Sequence, residues 1–227
     1  MIRMRGKKRT TVIMSSKHRV ESLEQLLERA DIWRASADSC SAQRVLSTGF
    51  AELDQICAGG WPLGELTELL AGERALHSLQ SFRLLVPVLR TLSTAEHDRG
   101  RIVLVDPPCI PYAPGLVAAG VEISRLLVLR SIHRVDRLWG MEQALRSRAC
   151  QAVVAWCGPV ALHRLRRLQL AAEAGNCLAV LLRPERCRRE RSPAALRACV
   201  RPGQPRGLCM ELIKRRGSSP RQLFLDA

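Results

Sequence analysis

Ser47-Thr-Gly-Phe-Ala-Glu-Leu-Asp54, followed by Gly59-Gly-Trp-Pro-Leu-Gly-Glu-Leu-Thr-Glu-Leu-Leu70, is the stretch on which the fold turns. Gly59, Gly60, Pro62 and Gly64 are tight-turn residues, and they deliver the chain into an apolar strand over 64–70. From there the pattern alternates. It predicts strands over 101–106, 126–129, 151–156 and 178–182, and helices over 78–92, 113–119, 134–148 and 160–174, the last closed by Gly175-Asn176. Such alternation implies βαβ units and a mainly parallel sheet covered on both faces. Beyond Arg183 the helices stop. Residues 196–200, 208–215 and 222–225 read as strands joined by Pro/Gly turns, an antiparallel completion of the sheet.

Upstream, residues 1–19 read as a basic, disordered tail, with Met14 a second candidate start. Apolar residues then recur at helical spacing over 20–34, with Leu23, Leu26, Leu27 and Trp33 forming a stripe. Residues 35–44 are small and polar, a linker, so the main domain runs over 45–227. A hydrophobic content of 47% excludes disorder throughout, and 4% aromatics leaves the core to Leu, Val and Ala. No apolar run is long enough to span a bilayer and no cleavable leader is visible, so the expectation is cytoplasmic, with no membrane partner. The nine cysteines lack C-x-x-C spacing and are expected as buried free thiols, with no metal. With 36 Lys+Arg against 21 Asp+Glu, the net charge of +15 favours polyanions or acidic protein surfaces.

The opening stretch resembles the segment leading into the nucleotide loop of RecA-family recombinases. This implies an α/β fold with a RecA-like, P-loop NTPase-type core preceded by an N-terminal helix. The family's phosphate loop, G-x-x-x-x-G-K-[ST], falls here on Ala71-Gly72-Glu-Arg-Ala-Leu76-His77-Ser78. Leu76 stands in place of the second glycine and His77 in place of the lysine; only Ser78 survives. A phosphate cradle needs unobstructed backbone amides and a fixed cation. Trp156 occupies the place of the Mg²⁺-associated Asp, Pro107-Pro108 that of the catalytic Glu, and Arg183 roughly that of a nucleotide-sensing Gln. Asp106 remains, read as a strand-end cap. The loop is therefore degenerate, and neither catalysis nor a cofactor is expected.

Pro107-Pro-Cys-Ile-Pro-Tyr-Ala-Pro114, Trp139-Gly-Met-Glu-Gln-Ala-Leu-Arg-Ser147 and Ala152-Val-Val-Ala-Trp156 are similar to ImuA, a RecA-related, SulA-associated family. That resemblance implies a non-catalytic accessory role in SOS-induced translesion DNA synthesis. Its implied partners are RecA, the adaptor ImuB and an error-prone DnaE-type polymerase. The alternative is a SulA-like cell-division inhibitor, directed at a cytoskeletal GTPase rather than at DNA machinery.

Candidate contact residues follow from charge. Arg183, Arg186, Arg188, Arg189 and Arg191 lie where RecA carries a DNA-binding loop, and phosphate contact and a solvated, partner-facing loop are both open readings. Lys214 and Arg216 fall where the RecA family has a basic pair that reaches the neighbouring protomer, and a surface hairpin end is the simpler reading. The basic run His163–Leu168 reads as a solvated helix face, and Trp139 with Met141 and Leu145 as helix packing. Pro107–Pro114 reads as a rigid connection, although prolines beside Tyr112 also suit docking. The stripe Leu23, Leu26, Leu27 and Trp33 is a candidate partner-docking helix. From the substitutions at Leu76, His77 and Trp156 we expect no tight ATP binding and no ATP hydrolysis. Calorimetry checks this, and micromolar affinity abolished by changing Ser78 refutes it.

Overall fold

The apolar runs that carry no polar alternation become the strands buried on both faces. In the computed structural model the described residues are 44–77, 80–94, 100–130, 133–203, 207–215 and 221–225. The expected tail, N-terminal helix and most of the linker lie outside them. Eight strands form one sheet in the order β10-β9-β8-β3-β7-β6-β4-β5. They are β3 (Leu66–Ala71), β4 (Arg101–Val105), β5 (Leu126–Leu129), β6 (Cys150–Trp156), β7 (Leu178–Pro184), β8 (Leu196–Pro202), β9 (Leu208–Arg215) and β10 (Arg221–Leu225). β3 to β8 are mutually parallel, and β9 and β10 close one edge antiparallel. β5 is the other edge. The short pair β1 (Val45–Leu46) and β2 (Trp61–Pro62) stands apart as a second sheet.

The opening motif has a local physical cause. Asp54, in helix α1 (Ala51–Ile56), accepts a hydrogen bond from Ser47 Oγ at 2.6 Å and from the Thr48 backbone N–H at 2.7 Å. Burial works against the charge, but these bonds outweigh it and hold the Asp54 carboxyl below its ordinary range. Leu53, beside it, is fully buried. Gly60 has φ 134°, and a Cβ there would lie 2.0 Å from the Leu46 carbonyl oxygen, so only glycine closes this turn.

The helix expected over 78–92 is not continuous. The chain runs through α2 (Glu73–His77) and α3 (Gln80–Arg83), then restarts as α4 (Val86–Thr94). Pro87 is the reason: without an N–H and with a fixed φ it belongs in the first turn of a helix, not its interior. α5 (Ala113–Ala118), α6 (Arg134–Arg146) and α7 (Leu162–Gly175) lie close to their expected positions. Asn176 caps α7 in the left-handed conformation, φ 49°.

Two cores flank the sheet. One packs α4, Leu53, Trp61 and Phe82 against one face. The other packs α6 and α7, through Met141, Leu145, Leu165 and Leu168, against the opposite face of β4, β6 and β7. Over β3 and β8 that second face carries no α-helix; residues 185–195, which include a short 3-10 helix (Glu185–Arg189), lie there instead, and Cys187 packs with Leu70 and Cys199. A buried ion network fixes this cover. Glu68, in mid-β3 and fully buried, accepts from Arg183 Nη1 at 2.9 Å, Ser192 Oγ at 2.9 Å and Arg197 Nε at 2.7 Å. Arg183 also donates to Glu190 at 2.6 Å, and Arg197 to the carbonyls of Cys187, Arg188 and Glu190.

Five cysteines (57, 157, 177, 187 and 199) are buried as expected, but Cys150 and Cys209 are half-buried and Cys109 is exposed. Burial pushes the thiols of Cys57, Cys157 and Cys177 up to about 12, so they remain protonated at neutral pH. Among the described residues no helix is long and apolar enough to cross a membrane. Removing one member of a buried ion cluster strands its partners, at about 3–5 kcal/mol. Glu68→Ala should therefore lower stability by that order in urea unfolding. Replacing Glu68, Arg183 and Arg197 together by apolar residues of similar volume should cost far less.

Candidate functional site

In open α/β sheets, ligands bind at the carboxyl ends of the parallel strands. That end is built here from Gly72 after β3, Asp106 after β4 and Trp156 closing β6. After Gly72 the chain turns at once into α2, so the residues expected to form a degenerate loop are helical over Glu73–His77. Asp106 sits at φ 56° just past β4, with its carboxylate paired to Arg137 from α6. Among the described residues no three ligating side chains are gathered to hold a metal ion.

An apolar groove takes up this end. Phe82, Val86, Leu104, Pro107, Tyr112, Leu116 and Trp156 line about 190 Å³ of space, and no lining residue is a carboxylate, lysine or arginine. Trp156 packs on Phe82 with ring centroids 5.6 Å apart, a normal spacing for an aromatic pair. Its Nε1–H is buried without a hydrogen-bond partner. At the rim, Ile110 is 81% and Tyr112 73% exposed. The prolines around Tyr112 were the sequence signal for this surface. Phe82, Val86 and Leu104 gave none, because each reads simply as core.

The structure separates the arginines of the basic loop. Arg183 is fully buried between Glu68 and Glu190, which removes it from any phosphate or partner contact. Arg186 pairs with Glu73, and Arg188 binds Glu211 through both terminal nitrogens. Arg201 bridges Glu185 and Glu211 nearby. Hydrogen bonds from Arg201 lower the Glu185 carboxyl, and those from Arg188 lower the Glu211 carboxyl. Arg189 and Arg191 remain exposed. Lys214 reaches back to the Ser192 carbonyl at 3.1 Å, so it lies against this segment; Arg216 is outside the described residues. So are Leu23, Leu26, Leu27 and Trp33. The side chain of Ser78 is too, so Ala71 and Gly72 are the parts of the degenerate loop with a described setting. Trp139 departs from its expected packing role: Met141 and Leu145 are buried, but Trp139 is 60% exposed.

What the fold and this end of the sheet define is an α/β protein with a mostly parallel sheet and an apolar groove at the carboxyl ends of its strands. No known family profile matches the chain. Among curated proteins it is similar to cell division inhibitor SulA of Edwardsiella piscicida, 32% identical over 102 residues, covering 45% of this chain and 59% of that protein. The SulA proteins of Photorhabdus laumondii subsp. laumondii (27% over 116 residues, 51% of this chain and 64% of that one) and Pseudomonas aeruginosa (31% over 100 residues, 44% and 62%) are similar too. The chain thus spans about three-fifths of the length of the curated relatives it matches. The solved structure of SulA from Pseudomonas aeruginosa aligns at 26% identity with a TM-score of 0.43, covering 52% of this chain and 97% of that one. The sequence likenesses to the curated SulA proteins overturn the expected role as an accessory protein of translesion synthesis. The relatives are named as cell division inhibitors, the alternative to that role, and of the family resemblance it is the SulA side that stands.

The groove's apolar character has a direct test. Trp156→Asp removes a ring worth roughly 3–5 kcal/mol and sets a carboxylate among apolar walls. We expect at least that loss in urea unfolding and no Mg²⁺-nucleotide binding by calorimetry.

Proposed function

We propose that this chain acts as a SulA-like inhibitor of cell division, working by binding a protein partner rather than by turning over a substrate. The observation that carries this is the 32% identity to cell division inhibitor SulA over 102 residues. The strand-end groove is consistent with it. A nucleotide site requires converging amides and cations, whereas this end offers the apolar walls and exposed aromatic rim that protein anchors fill. The partner is of the division machinery, a cytoskeletal GTPase, and SOS-linked expression accords with the SulA relatives.

We infer further that the sheet is a RecA-type core whose nucleotide site has been lost, and that the chain is non-catalytic. The position of β3 between β7 and β8, with the antiparallel pair beyond, supports this reading. So does α2 in place of the loop.

Controlled expression in a rod-shaped bacterium tests the proposal. The wild-type chain should block septation and give cells several-fold longer than normal. Ile110→Asp with Tyr112→Ala, both at exposed positions, should restore normal length at equal protein level and unchanged melting temperature. Cells of normal length despite folded wild-type protein would sink the idea.

A further inference from the structure

The arginines of the 183–191 segment are largely engaged by carboxylates, yet the chain carries a net charge of +15. Part of that excess lies on α6 and α7. The two helices lie side by side. Glu142 of α6, 8% exposed at its side chain, is held by Arg146 at 3.1 Å and by Arg167 of α7 at 2.8 Å. Arg148 Nε donates to the Ala174 carbonyl at 3.3 Å and joins the far ends. From Arg134 to Ala149 and from Leu162 to Gly175 there are seven arginines against three carboxylates, Asp136, Glu142 and Glu173, with Asp136 one turn before Trp139. Glu142 is already shared between two guanidiniums, so the outer surface is cationic.

An exposed ring stands on the same surface. Trp139, Gln143 and Arg146 recur at i, i+4 and i+7, one face of α6, and all three are exposed. Glu142, which anchors Arg146 and Arg167, is one turn from Trp139. On α7, Arg166 and Arg167 are exposed, with Leu170 following. A protein interface needs a contiguous apolar centre within a total buried area above about 1,000 Å². One indole and one leucine among arginines do not supply that centre. They do match what a single nucleic-acid strand requires, an aromatic face for a base beside a row of cations for its phosphates. Neighbouring positions on one helix face are about 5–6 Å apart, close enough to meet successive phosphates.

We propose that the α6–α7 face binds single-stranded nucleic acid without regard to sequence, with Trp139 stacking on a base while Arg146, Arg166 and Arg167 meet phosphates. This is a second activity, independent of the proposed division inhibition and of the apolar groove.

The test uses the full chain and a fluorescently labelled oligothymidylate, with anisotropy followed over a series of salt concentrations. Binding should weaken steeply with salt. Trp139→Ala should weaken it about tenfold, the scale of one lost stacking contact. Arg166→Ala should lower the log–log salt slope by about one. The pair Arg189→Ala and Arg191→Ala should leave both unchanged, and all variants should share the wild-type melting curve. Three results would overturn the proposal. One is no binding even at low salt. A second is binding indifferent to Trp139 and Arg166, which would place the contact on the basic first residues or the 183–191 segment. The third is polyglutamate competing as well as unlabelled oligothymidylate at equal charge, which would make this a surface for acidic protein.

Discussion

A carboxylate in the middle of a central strand is the constraint on which one side of this molecule depends. Glu68 is enclosed by sheet neighbours on both flanks, and ionised there it is tolerable only with cations and hydroxyls at contact distance. Arg183 comes from β7, Arg197 from β8, and Ser192 from the segment between them. Meeting the needs of one charge therefore joins three strands and lays a segment with only a short 3-10 helix over the sheet. Helices cover the remainder of that face by ordinary apolar packing. Over β3 and β8 the cover is held by polar bonds, and Cys187 is its apolar plug. An arrangement of this kind is specific more than strong, since an apolar replacement of the whole cluster would serve stability as well.

Much of the fold was legible because buried parallel strands announce themselves as uninterrupted apolar runs. β9 was bounded in the sequence as it is in the structure, and β5 likewise. Asn176 and Gly175 gave the end of α7. The long helix over 78–92 misled because the apolar period continues through a proline that the backbone cannot carry mid-helix. Arg183 misled for a different reason. A linear charge count cannot see that Glu68, distant in sequence, is adjacent in space, so a buried structural cation reads as part of a basic loop. Trp139 erred in the opposite direction: Met141 and Leu145 are core, and only the helical phase of a packed structure shows that the indole points away from them.

The strand-end groove shows the same limit at the candidate site. Its floor is made of Leu104 and Trp156 at the ends of adjacent strands and of Phe82 and Val86 from the opposite layer. No spacing rule links those positions. Pro107, Pro111 and Tyr112 were visible as a cluster because they are contiguous. Trp156 sets the chemistry of the whole edge: it brings a large apolar wall and no charge, so the place suits an apolar side-chain anchor better than a phosphate.

Among the described residues the sheet ends at β10 and at β5, and the β5 edge bears on how the protein is handled. Leu127 and Val128 are about half exposed on a strand whose outer backbone groups have no neighbouring strand among the described residues. Such an edge is a template for intermolecular pairing. Here the strand is four residues long and Arg125 and Arg130 bracket it, so two molecules meeting edge to edge would bring like charges together. Colloidal behaviour at this edge is thus an electrostatic matter. Concentrated salt, which screens those arginines, removes the barrier that keeps one sheet from extending into the next.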